Sequence, residues 1–268
     1  MIPKVIHYCW FGGNSFPDLA KKCTASWKKY LPEYEIKEWN ESNFDIESCA
    51  YVKEAYEEKK WAFVSDYARF YILYHYGGLY FDTDVELINS IDDILKCGSF
   101  MGAEGNYGGI NSGLGLGCEA GNPIFAEILQ RYKERHFRLA EGVIDQLDVV
   151  KYVTEIFQEH GYKLENGLQV ISGITVYPKD YFSPMDYSTG QITITENTRS
   201  IHHYTASWKS EKDLKWEKFN RKVHNALTRE AADKIMASIP ARLIGSVYRN
   251  GLKTTLRAIK NRSARKKN

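Results

Sequence analysis

The chain has 268 residues, a hydrophobic fraction of 43%, a charged fraction of 26% and a formal net charge of +2. These values are typical of a globular protein and exclude a disordered, collagen-like or coiled-coil chain. No segment approaches about 18 consecutive apolar residues and no secretory signal is visible, so we expect a cytoplasmic protein. The 5 cysteines are scattered without a C-x-x-C pair, which argues against a disulfide scaffold and a structural zinc site.

Basic residues are concentrated at the C-terminal end. Ten of the 36 Lys and Arg lie in residues 234–268, which contain no acid, so the rest carries 26 basic against 34 acidic residues, a balance of −8. Apolar residues recur there at three- and four-residue steps from Leu243 to Ile259, with Arg and Lys on the other side. This pattern predicts a basic amphipathic helix. We therefore expect two parts, a globular domain over 1–233 and a basic helical tail over 234–268.

The tail has three possible interpretations. An anionic membrane surface would attract its cations while the apolar stripe inserts shallowly, which places the protein peripherally at the inner face of the plasma membrane. The stripe could instead pack on its own domain, or the tail could bind nucleic acid. We favour the membrane and expect no nucleic-acid partner, because the acidic remainder offers no basic groove to continue a nucleic-acid track.

Strands and helices alternate along the first third of the chain. The pattern predicts, in order, a strand over residues 3–11, a Gly12-Gly13-Asn14 turn, a helix from Asp18 to about Tyr30 and a short strand over 34–39. A long aromatic helix over residues 61–76 follows and ends at Gly77-Gly78, because paired glycines favour a helix C-cap and a tight turn. The next segment, LYFDTDVEL at residues 79–87, is predicted as one buried strand.

Later segments continue the alternation. They are a strand or loop over 110–117, a helix from Pro123 to about Tyr132 capped by Asn122, a helix over 145–160, strands near 170–176 and 191–195, and the segment IHHYTASW at 201–208. Alternating strands and helices predict an α/β fold with a mainly parallel sheet.

The most informative segment is the D-x-D sequence after the long helix. If the strand continues, Tyr80, Asp82 and Asp84 project to one face, so two carboxylates share a site. Their repulsion favours a compensating divalent cation, and hard oxygen ligands select Mg²⁺ or Mn²⁺. Such a metal suits a departing nucleoside diphosphate. Two alternatives are a phosphohydrolase whose nucleophile is Asp82, and aspartates that only form a turn or a helix cap.

Polar residues on the preceding helix strengthen this interpretation. Ser65, Asp66 and Arg69 share one face because three- and four-residue steps bring helical side chains together. A surface ion pair is the ordinary explanation for that spacing. The rest of the helix is apolar nearly all round, so buried charges there need partners. A polyhydroxylated ligand with a phosphate would supply them.

Three blocks of the chain resemble a known family. They are IPKVIHYCWFGG at residues 2–13, WAFVSDYARFYILYHYGGLYFDTDV at 61–85 and IHHYTASW at 201–208. Together they resemble the D-x-D glycosyltransferases of the capsular polysaccharide and α-mannosyltransferase type (family 32), and are similar to the catalytic domain of the large clostridial glucosylating toxins. The resemblance spans residues 2 to about 208 and does not cover the tail. It implies a GT-A fold, a nucleotide-binding α/β sheet that transfers a sugar with retention of configuration.

The resemblance also implies roles for individual residues. Trp10 resembles the ring that stacks on the nucleotide base, Ser65 a nucleotide contact, and Asn111 a donor-sugar contact. Asp66 and Arg69 resemble the pair that holds sugar hydroxyls and phosphate. The remaining implied site residues are Tyr80 at the donor, Asp82 and Asp84 at the metal, His202 as a third metal ligand in preference to His203, and Ser207 and Trp208 as lid residues near the β-phosphate.

The leading hypothesis is therefore a metal-dependent hexosyltransferase that uses Mn²⁺ or Mg²⁺. It would move a hexose from a nucleotide sugar, such as UDP-galactose, UDP-glucose or UDP-GlcNAc, to a lipid-linked or polysaccharide acceptor during the synthesis of capsule, exopolysaccharide or another cell-surface glycan. The alternatives are a catalytically silent nucleotide-sugar or carbohydrate receptor and an aspartyl-phosphate phosphohydrolase. UDP is preferred over GDP by analogy with UDP-sugar users.

Overall fold

The protein is described from a computed structural model, which covers residues 1–140, 143–145, 147–205, 211–238, 243, 245 and 246. The chain divides into two compact units, one formed by Met1–Met185 with Ile192–Thr205 and the other by Asp186–Gln191 with Ala206–Asn268. The predicted division of function between residues 1–233 and the tail stays a prediction.

The first unit contains all the strands that the described residues form. These are β1 (Val5–Cys9), β2 (Glu35–Trp39), β3 (Gly78–Tyr80), β4 (Val85–Leu87), β5 (Phe100–Glu104), β6 (Gly109–Cys118), β7 (Gln169–Ile171), β8 (Ile174–Tyr177) and β9 (Ser200–His202). Its helices are α1 (Asp18–Tyr30), α2 (Ala50–Glu57), α3 (Trp61–Tyr76), α4 (Asp92–Lys96), α5 (Pro123–Lys133), α6 (Val149–Glu159) and α7 (Lys179–Phe182).

Seven strands form one twisted layer in the order β2-β1-β3-β6-β5-β8-β7. The pairs β1 with β2, β1 with β3, and β5 with β8 are parallel. The pairs β3 with β6, β5 with β6, and β7 with β8 are antiparallel. Five strands therefore run one way, while β6 and β7 run the other way. The predicted α/β class with a mostly parallel sheet is confirmed, and β6 brings an antiparallel strand to its centre.

Two helices have the bounds that the sequence predicts. α1 spans Asp18–Tyr30 and α3 spans Trp61–Tyr76. α3 is buried along most of its length and ends at Gly77, whose φ of +63° suits a residue without a side chain. The predicted cap of α5 is also present, because the Asn122 side chain accepts hydrogen bonds from the backbone N–H groups of Ile124 and Phe125. These local signals are strong enough to fix helix ends without tertiary information.

A buried histidine ties the first strand to the connection between α3 and β3. The Trp39 indole N–H donates to His7 Nδ1 at 3.0 Å, and His7 Nε2 lies 3.0 Å from the carbonyl oxygen of Gly77. Since Nδ1 accepts, the proton of the neutral ring is on Nε2 and donates to Gly77. Burial lowers the pKa of His7 to about 4. His7 is thus a neutral structural residue that holds β1 against the chain leading into the site.

The predicted strand over residues 79–87 is wrong in one respect. β3 ends at Tyr80, and β4 begins at Val85 in a separate two-stranded sheet with β9. Between them the backbone N–H of Val85 donates to the carbonyl oxygen of Asp82 at 3.0 Å, which closes a turn. Asp82, Thr83 and Asp84 therefore occupy a turn, and strand alternation does not determine where the two carboxylates point.

Two further differences come from nonlocal structure. The predicted strand over 191–195 is reduced to one isolated bridge between Ile192 and Met185. The predicted strand over 170–176 is instead the hairpin formed by β7 and β8. Both segments alternate apolar and polar residues, but only the hairpin segment finds a neighbouring strand with which to pair.

The second unit contains α8 (Glu211–Ala226) and α9 (Arg229–Ala237). His224 is buried and its Nε2 lies 3.0 Å from Asp233 Oδ1, which ties the two helices together. The Thr228 side chain caps α9. Most of the predicted amphipathic helix, together with Ser207 and Trp208, lies outside the described residues. Within the described part, no helix is both long and apolar enough to cross a membrane.

Candidate active site

The candidate site residues gather at one edge of the large sheet. β1, β3 and β5 run the same way, so the residues that follow them emerge at the same edge. Trp10 follows β1, Asp82 follows β3 shortly after its end, and Glu104 ends β5. β6 runs in the opposite direction, and so its first residues, including Asn111, lie at this edge too. Ligands of α/β sheets bind at the carboxyl ends of the parallel strands.

Arg69 is the centre of the site. Its side chain is 4% exposed and its Nη2 lies 3.0 Å from Asp66 Oδ1 and 3.2 Å from Asp82 Oδ1. Nη1 donates to Ser112 Oγ at 3.2 Å and Nε to the Ser65 carbonyl oxygen at 3.1 Å. Burial disfavours the charge, but the neighbouring acids outweigh it and raise the pKa of Arg69. The guanidinium is a fixed positive charge whose removal would leave two acids uncompensated.

Asp82 is held by contacts from three elements. Its Oδ1 accepts a hydrogen bond from the Tyr80 hydroxyl at 3.0 Å in addition to the Arg69 ion pair. Its backbone N–H donates to the carbonyl oxygen of Gly113 at 3.0 Å. A Cβ on Gly113 would overlap Asp82 Oδ2, so the carboxylate lies directly against the backbone of β6. The Asp82 side chain is still 28% exposed, which leaves it accessible from the sheet edge.

The second acidic partner of Arg69 is Asp66, which lies on the same helix, α3. Its side chain is 14% exposed. Burial raises the pKa of the Asp66 carboxyl to about 7, although the Arg69 guanidinium opposes this shift. A carboxyl group with a raised pKa at a sheet edge is typical of a functional site. Asp66 can accept hydrogen bonds from a ligand when ionised and donate one when protonated.

Asp84 is held by His202, the last residue of β9, and by Thr205, which follows β9. Its Oδ1 lies 3.0 Å from His202 Nε2. Its Oδ2 accepts hydrogen bonds from the Thr205 backbone N–H and hydroxyl, both at 2.8 Å. Burial opposes ionisation, but the His202 ring and the Thr205 donors outweigh it, so the pKa of Asp84 lies well below its ordinary value. The structure therefore pairs Asp84 with His202.

The two neighbouring histidines have different partners. His202 is 8% exposed and its Nδ1 is buried without a hydrogen-bond partner among the described residues. The Nε2 of His203 lies 2.9 Å from Glu86 Oε2, which also binds Lys22 Nζ at 2.8 Å. Since β4 and β9 pair with Val85 opposite His202, alternation sends His203 to the other face. His202 is therefore the histidine beside Asp84, and its choice over His203 as a metal ligand stays a prediction.

A second polar network lies beyond Asp82 along the edge. Glu104 Oε2 accepts hydrogen bonds from Asn111 Nδ2 at 2.7 Å and from the Tyr204 hydroxyl at 2.8 Å. Asn111 Oδ1 accepts from the Gly113 backbone N–H at 2.8 Å. Tyr204 has a φ of +48°, an uncommon conformation for a residue with a side chain. This network joins β5 and β6 to the segment that follows His202.

The predicted base contact, Trp10, lies at the β1 end of the edge, and the predicted nucleotide contact, Ser65, lies on α3 beside Arg69. The Trp10 indole N–H donates to the carbonyl oxygen of Asn14 at 2.8 Å, and its ring meets Phe16 edge-on with centroids 5.0 Å apart. The Ser65 hydroxyl donates to the carbonyl oxygen of Trp61 at 3.0 Å. Trp10 is partly exposed, so one ring face can receive a flat ligand.

The donor chemistry around the D-x-D turn fits a divalent metal ion. Asp84 provides carboxylate oxygens, and His202 faces them with Nε2 at 3.0 Å. Carboxylate oxygens suit Mn²⁺ and Mg²⁺, and a neutral histidine nitrogen is a common ligand of divalent metals. Asp82 is two residues from Asp84 but is engaged by Arg69. Within the part of the chain that the structure describes, no three His, Cys, Asp or Glu side chains form a ready metal cluster.

One comparison with known proteins concerns the segment that contains the D-x-D turn. Residues 17–100 match the family model described as a glycosyltransferase sugar-binding region containing a DXD motif. This segment includes α3, Arg69 and the turn with Asp82 and Asp84. No curated protein matches the chain significantly. The family match confirms the predicted enzyme class, which is a glycosyltransferase.

Solved structures of transferases are similar to the chain at low identity. The PaToxG glycosyltransferase is 18% identical, with 59% of this chain and 70% of that chain covered and a TM-score of 0.46. A glycosyltransferase involved in the glycosylation of the major capsid of PBCV-1 is 11% identical, with 82% and 98% covered and a TM-score of 0.41. A transferase mutant is 10% identical, with 57% and 84% covered and a TM-score of 0.39.

The structure brings five of the eleven predicted site residues into one cluster and adds others. Ser65, Asp66, Arg69, Tyr80 and Asp82 form one cluster by direct contact or through Arg69. Sequence analysis did not assign Ser112 and Gly113, which contact Arg69 and Asp82. It also did not assign Thr205, which contacts Asp84, or Glu104 and Tyr204, which form the network with Asn111. Gly113 stands in the same short segment as Asn111, and Tyr204 and Thr205 follow the histidine pair, so position alone could have marked them. Glu104 carries no such local signal.

Proposed function

We propose that the protein is a metal-dependent, retaining hexosyltransferase of GT-A type that uses a nucleotide sugar as its donor. The observation that carries this proposal is the Arg69 cluster. A buried guanidinium binds Asp66 and Asp82 at the carboxyl edge of the sheet, beside the Asp84–His202 pair. Fixed positive and negative charges close together suit a ligand that carries both phosphate and sugar hydroxyl groups.

The donor would extend along the sheet edge from β1 towards β6. In this arrangement the Trp10 ring stacks on the base, with uracil preferred, and Ser65 contacts the nucleotide. Arg69 faces the diphosphate and the sugar, while Asp66 and Asp82 accept hydrogen bonds from sugar hydroxyls. Asn111 contacts the sugar at the start of β6. Ser207 and Trp208 lie outside the described residues, and their role as β-phosphate contacts is proposed from the sequence resemblance alone.

The reaction breaks the bond between the anomeric carbon and the diphosphate oxygen. Negative charge grows on the departing diphosphate, and the guanidinium of Arg69 stabilises it. The acceptor hydroxyl forms the new bond from the same side, and its proton goes to a phosphate oxygen of the departing group, so atoms and charges balance. Burial raises the pKa of the Cys9 thiol to about 12, and we assign no covalent role to any side chain.

Asp84 and His202 would hold the metal, with Asp82 close in sequence. When bound, a divalent cation there neutralises charge on the diphosphate. Contacts with His202 and Thr205 fix the Asp84 carboxylate, so the chain itself orients this group.

The test is turnover of a panel of UDP- and GDP-sugars by the purified chain, with Mn²⁺, with Mg²⁺ and with EDTA. We expect release of a nucleoside diphosphate that depends on the metal and is fastest with one UDP-hexose. Binding of a nucleotide sugar without turnover would instead identify a silent receptor. Trapped aspartyl-phosphate on Asp82, with no need for a nucleotide sugar, would identify a phosphohydrolase.

We further propose a lipid-linked glycan as the acceptor, with the chain at the inner membrane surface. The support is the basic composition of residues 234–268 against an acidic remainder. Near-surface cations contribute about 1 kcal/mol each to binding of anionic membranes. We expect the full chain to float with phosphatidylglycerol vesicles, and the chain ending at residue 233 to remain at the bottom of the gradient. Equal flotation of both chains would remove the membrane proposal.

A further inference from the structure

The sheet edge continues beyond the proposed donor residues. In the strand order, β1 is followed by β3, β6 and β5, so Trp10, Asp82, Asn111 and Glu104 succeed one another along the edge. Neighbouring strands lie about 4.8 Å apart. If the base lies at Trp10 and the sugar at Asn111, as the proposed function holds, the next position along the edge is where a second substrate meets the sugar. That position is occupied by Glu104 and the hairpin between β5 and β6.

The tip of this hairpin presents an uncovered aromatic ring. Tyr107 is 78% exposed, although it stands only three residues after Glu104. A bare ring costs free energy in water because its apolar faces remain hydrated. Tyrosine and tryptophan rings beside a binding site provide both contact area and a hydrogen-bonding group. Few side-chain torsion angles have to be fixed when a ligand binds them. Tyr107 is therefore suited to receive one face of a sugar ring.

The hairpin tip is held by contacts on both sides of Tyr107. The Tyr162 hydroxyl donates to the carbonyl oxygen of Gly108 at 2.6 Å, and Lys179 Nζ donates to Asn106 Oδ1 at 2.5 Å. Gly108 has a φ of +73°, and a Cβ there would overlap the backbone of Glu165. The loop is thus braced by neighbouring elements while its ring stays outside, which presents a preorganised platform.

Glu104 supplies the polar group beside this ring. Its Oε2 binds Asn111 and Tyr204, while Oε1 makes no hydrogen bond to any residue in the described part of the chain. A carboxylate oxygen is a strong acceptor for a hydroxyl group. Because Oε2 accepts two hydrogen bonds, the Glu104 carboxylate is restrained and Oε1 points in a fixed direction.

We propose that Tyr107 and Glu104 form the acceptor subsite. A neutral saccharide unit at the end of the acceptor stacks on the Tyr107 ring and donates a hydroxyl hydrogen bond to Glu104. Charge favours a neutral occupant, because the acidic side chains of Glu104 and Asp82 would repel an acidic sugar. This proposal rests on the proposed function and names the acceptor class for the same site.

The test first measures binding without a donor. The neutral probes are p-nitrophenyl glucoside, galactoside and N-acetylglucosaminide in both anomeric forms. The acidic probe is p-nitrophenyl glucuronide. Binding is measured by titration with saturation-transfer NMR. We expect a neutral glycoside to bind, and Tyr107→Ala to weaken it about fivefold to tenfold, the size of a lost stacking contact. Tyr107→Phe keeps the ring and should bind within twofold. Glu104→Gln should weaken binding and alter the preference among the sugars.

A matched control is Tyr76→Ala. Tyr76 is 51% exposed but ends α3 at the opposite edge of the sheet, so its loss should change neither binding nor turnover. The proposal is overturned if Tyr107→Ala binds the glycosides as the wild type does, if no neutral glycoside binds the wild type, or if the glucuronide binds best. Melting temperatures of all variants within a few degrees of the wild type would exclude misfolding.

The same variants separate this proposal from the proposed function. With a nucleotide sugar that turns over, we expect Tyr107→Ala to raise the acceptor KM more than it lowers donor hydrolysis measured without acceptor. If no nucleotide sugar turns over but glycoside binding depends on Tyr107, the proposed reaction fails while the saccharide subsite stands. If turnover occurs and the acceptor KM is unchanged, the subsite fails while the reaction stands.

Discussion

The Asp84→Asn variant is expected to lose metal-dependent turnover of the nucleotide sugar by about 10²–10³-fold, the range measured when one preorganised electrostatic group is removed from an active site. Asparagine keeps the shape of the side chain and can still accept hydrogen bonds from Thr205, but it lacks the charge. The fold should therefore survive. Mn²⁺ binding, followed by electron paramagnetic resonance in the presence of UDP, should weaken together with turnover.

Glu86→Gln is the matched control for this substitution. Glu86 stands two residues further along, at β4, and pairs with His203 at 2.9 Å much as Asp84 pairs with His202 at 3.0 Å. It also binds Lys22, and it has no contact with the Arg69 cluster among its described hydrogen bonds and ion pairs. Turnover and Mn²⁺ binding by Glu86→Gln should stay near wild-type levels. Full activity in Asp84→Asn would remove the metal assignment, and equal losses in both variants would point to damage to the β4–β9 sheet.

The need of the charged residues on α3 for partners could be predicted from the sequence, because the apolar character of the helix follows directly from its own residues. α3 is apolar on nearly every side, and a charge on such a helix needs a partner wherever the helix packs. The structure supplies that partner for Arg69 from Asp82, thirteen residues later, with Asp66 on the same helix. The requirement for a partner is met, because the cost of an unpaired buried charge does not depend on the details of the fold. The sequence predicts a bound ligand as the source of that partner, whereas the structure supplies Asp82 of the chain itself.

Backbone direction at the D-x-D segment could not be predicted in the same way. The alternation of Tyr80, Asp82 and Asp84 is consistent with a strand, but β3 is stopped at Tyr80 and β4 pairs with β9, more than 110 residues later. A turn and a strand end have similar local sequences, so distant pairing decides between them. The position of Glu104 at the site has the same origin, since it depends on the register of β5 against β6.

A single methyl group at Gly113 is expected to disable the site. Its Cβ would overlap Asp82 Oδ2 and would lie 2.8 Å from Asp82 Cγ and 3.1 Å from Arg69 Nη1. Real Cβ atoms do not approach other atoms so closely, so the carboxylate must rotate away and break the 3.2 Å ion pair with Arg69. We expect Gly113→Ala to lower kcat/KM by about 10²-fold, because misplacing a catalytic group by about 1 Å has an effect of that size.

Gly115→Ala is the control for an added methyl group in the same strand. Gly115 stands two residues further along β6, where the new Cβ would meet the Phe81 and Phe182 rings at 3.2 Å and 3.3 Å. Rings can shift by a few tenths of an ångström, so this variant should be active with a modestly lower melting temperature. Similar activity losses in both variants would show that β6 simply does not tolerate alanine.

A double-mutant cycle decides whether Gly113→Ala acts through Asp82. In an Asp82→Ala background the carboxylate that the methyl group would displace is absent, so adding Gly113→Ala should reduce kcat/KM by little more than Asp82→Ala alone. Additive losses would mean that the methyl group acts elsewhere, for example on Arg69. Non-additivity would identify the glycine as the reason Asp82 can lie against the sheet, since only a residue without a side chain leaves room for its carboxylate beside the guanidinium.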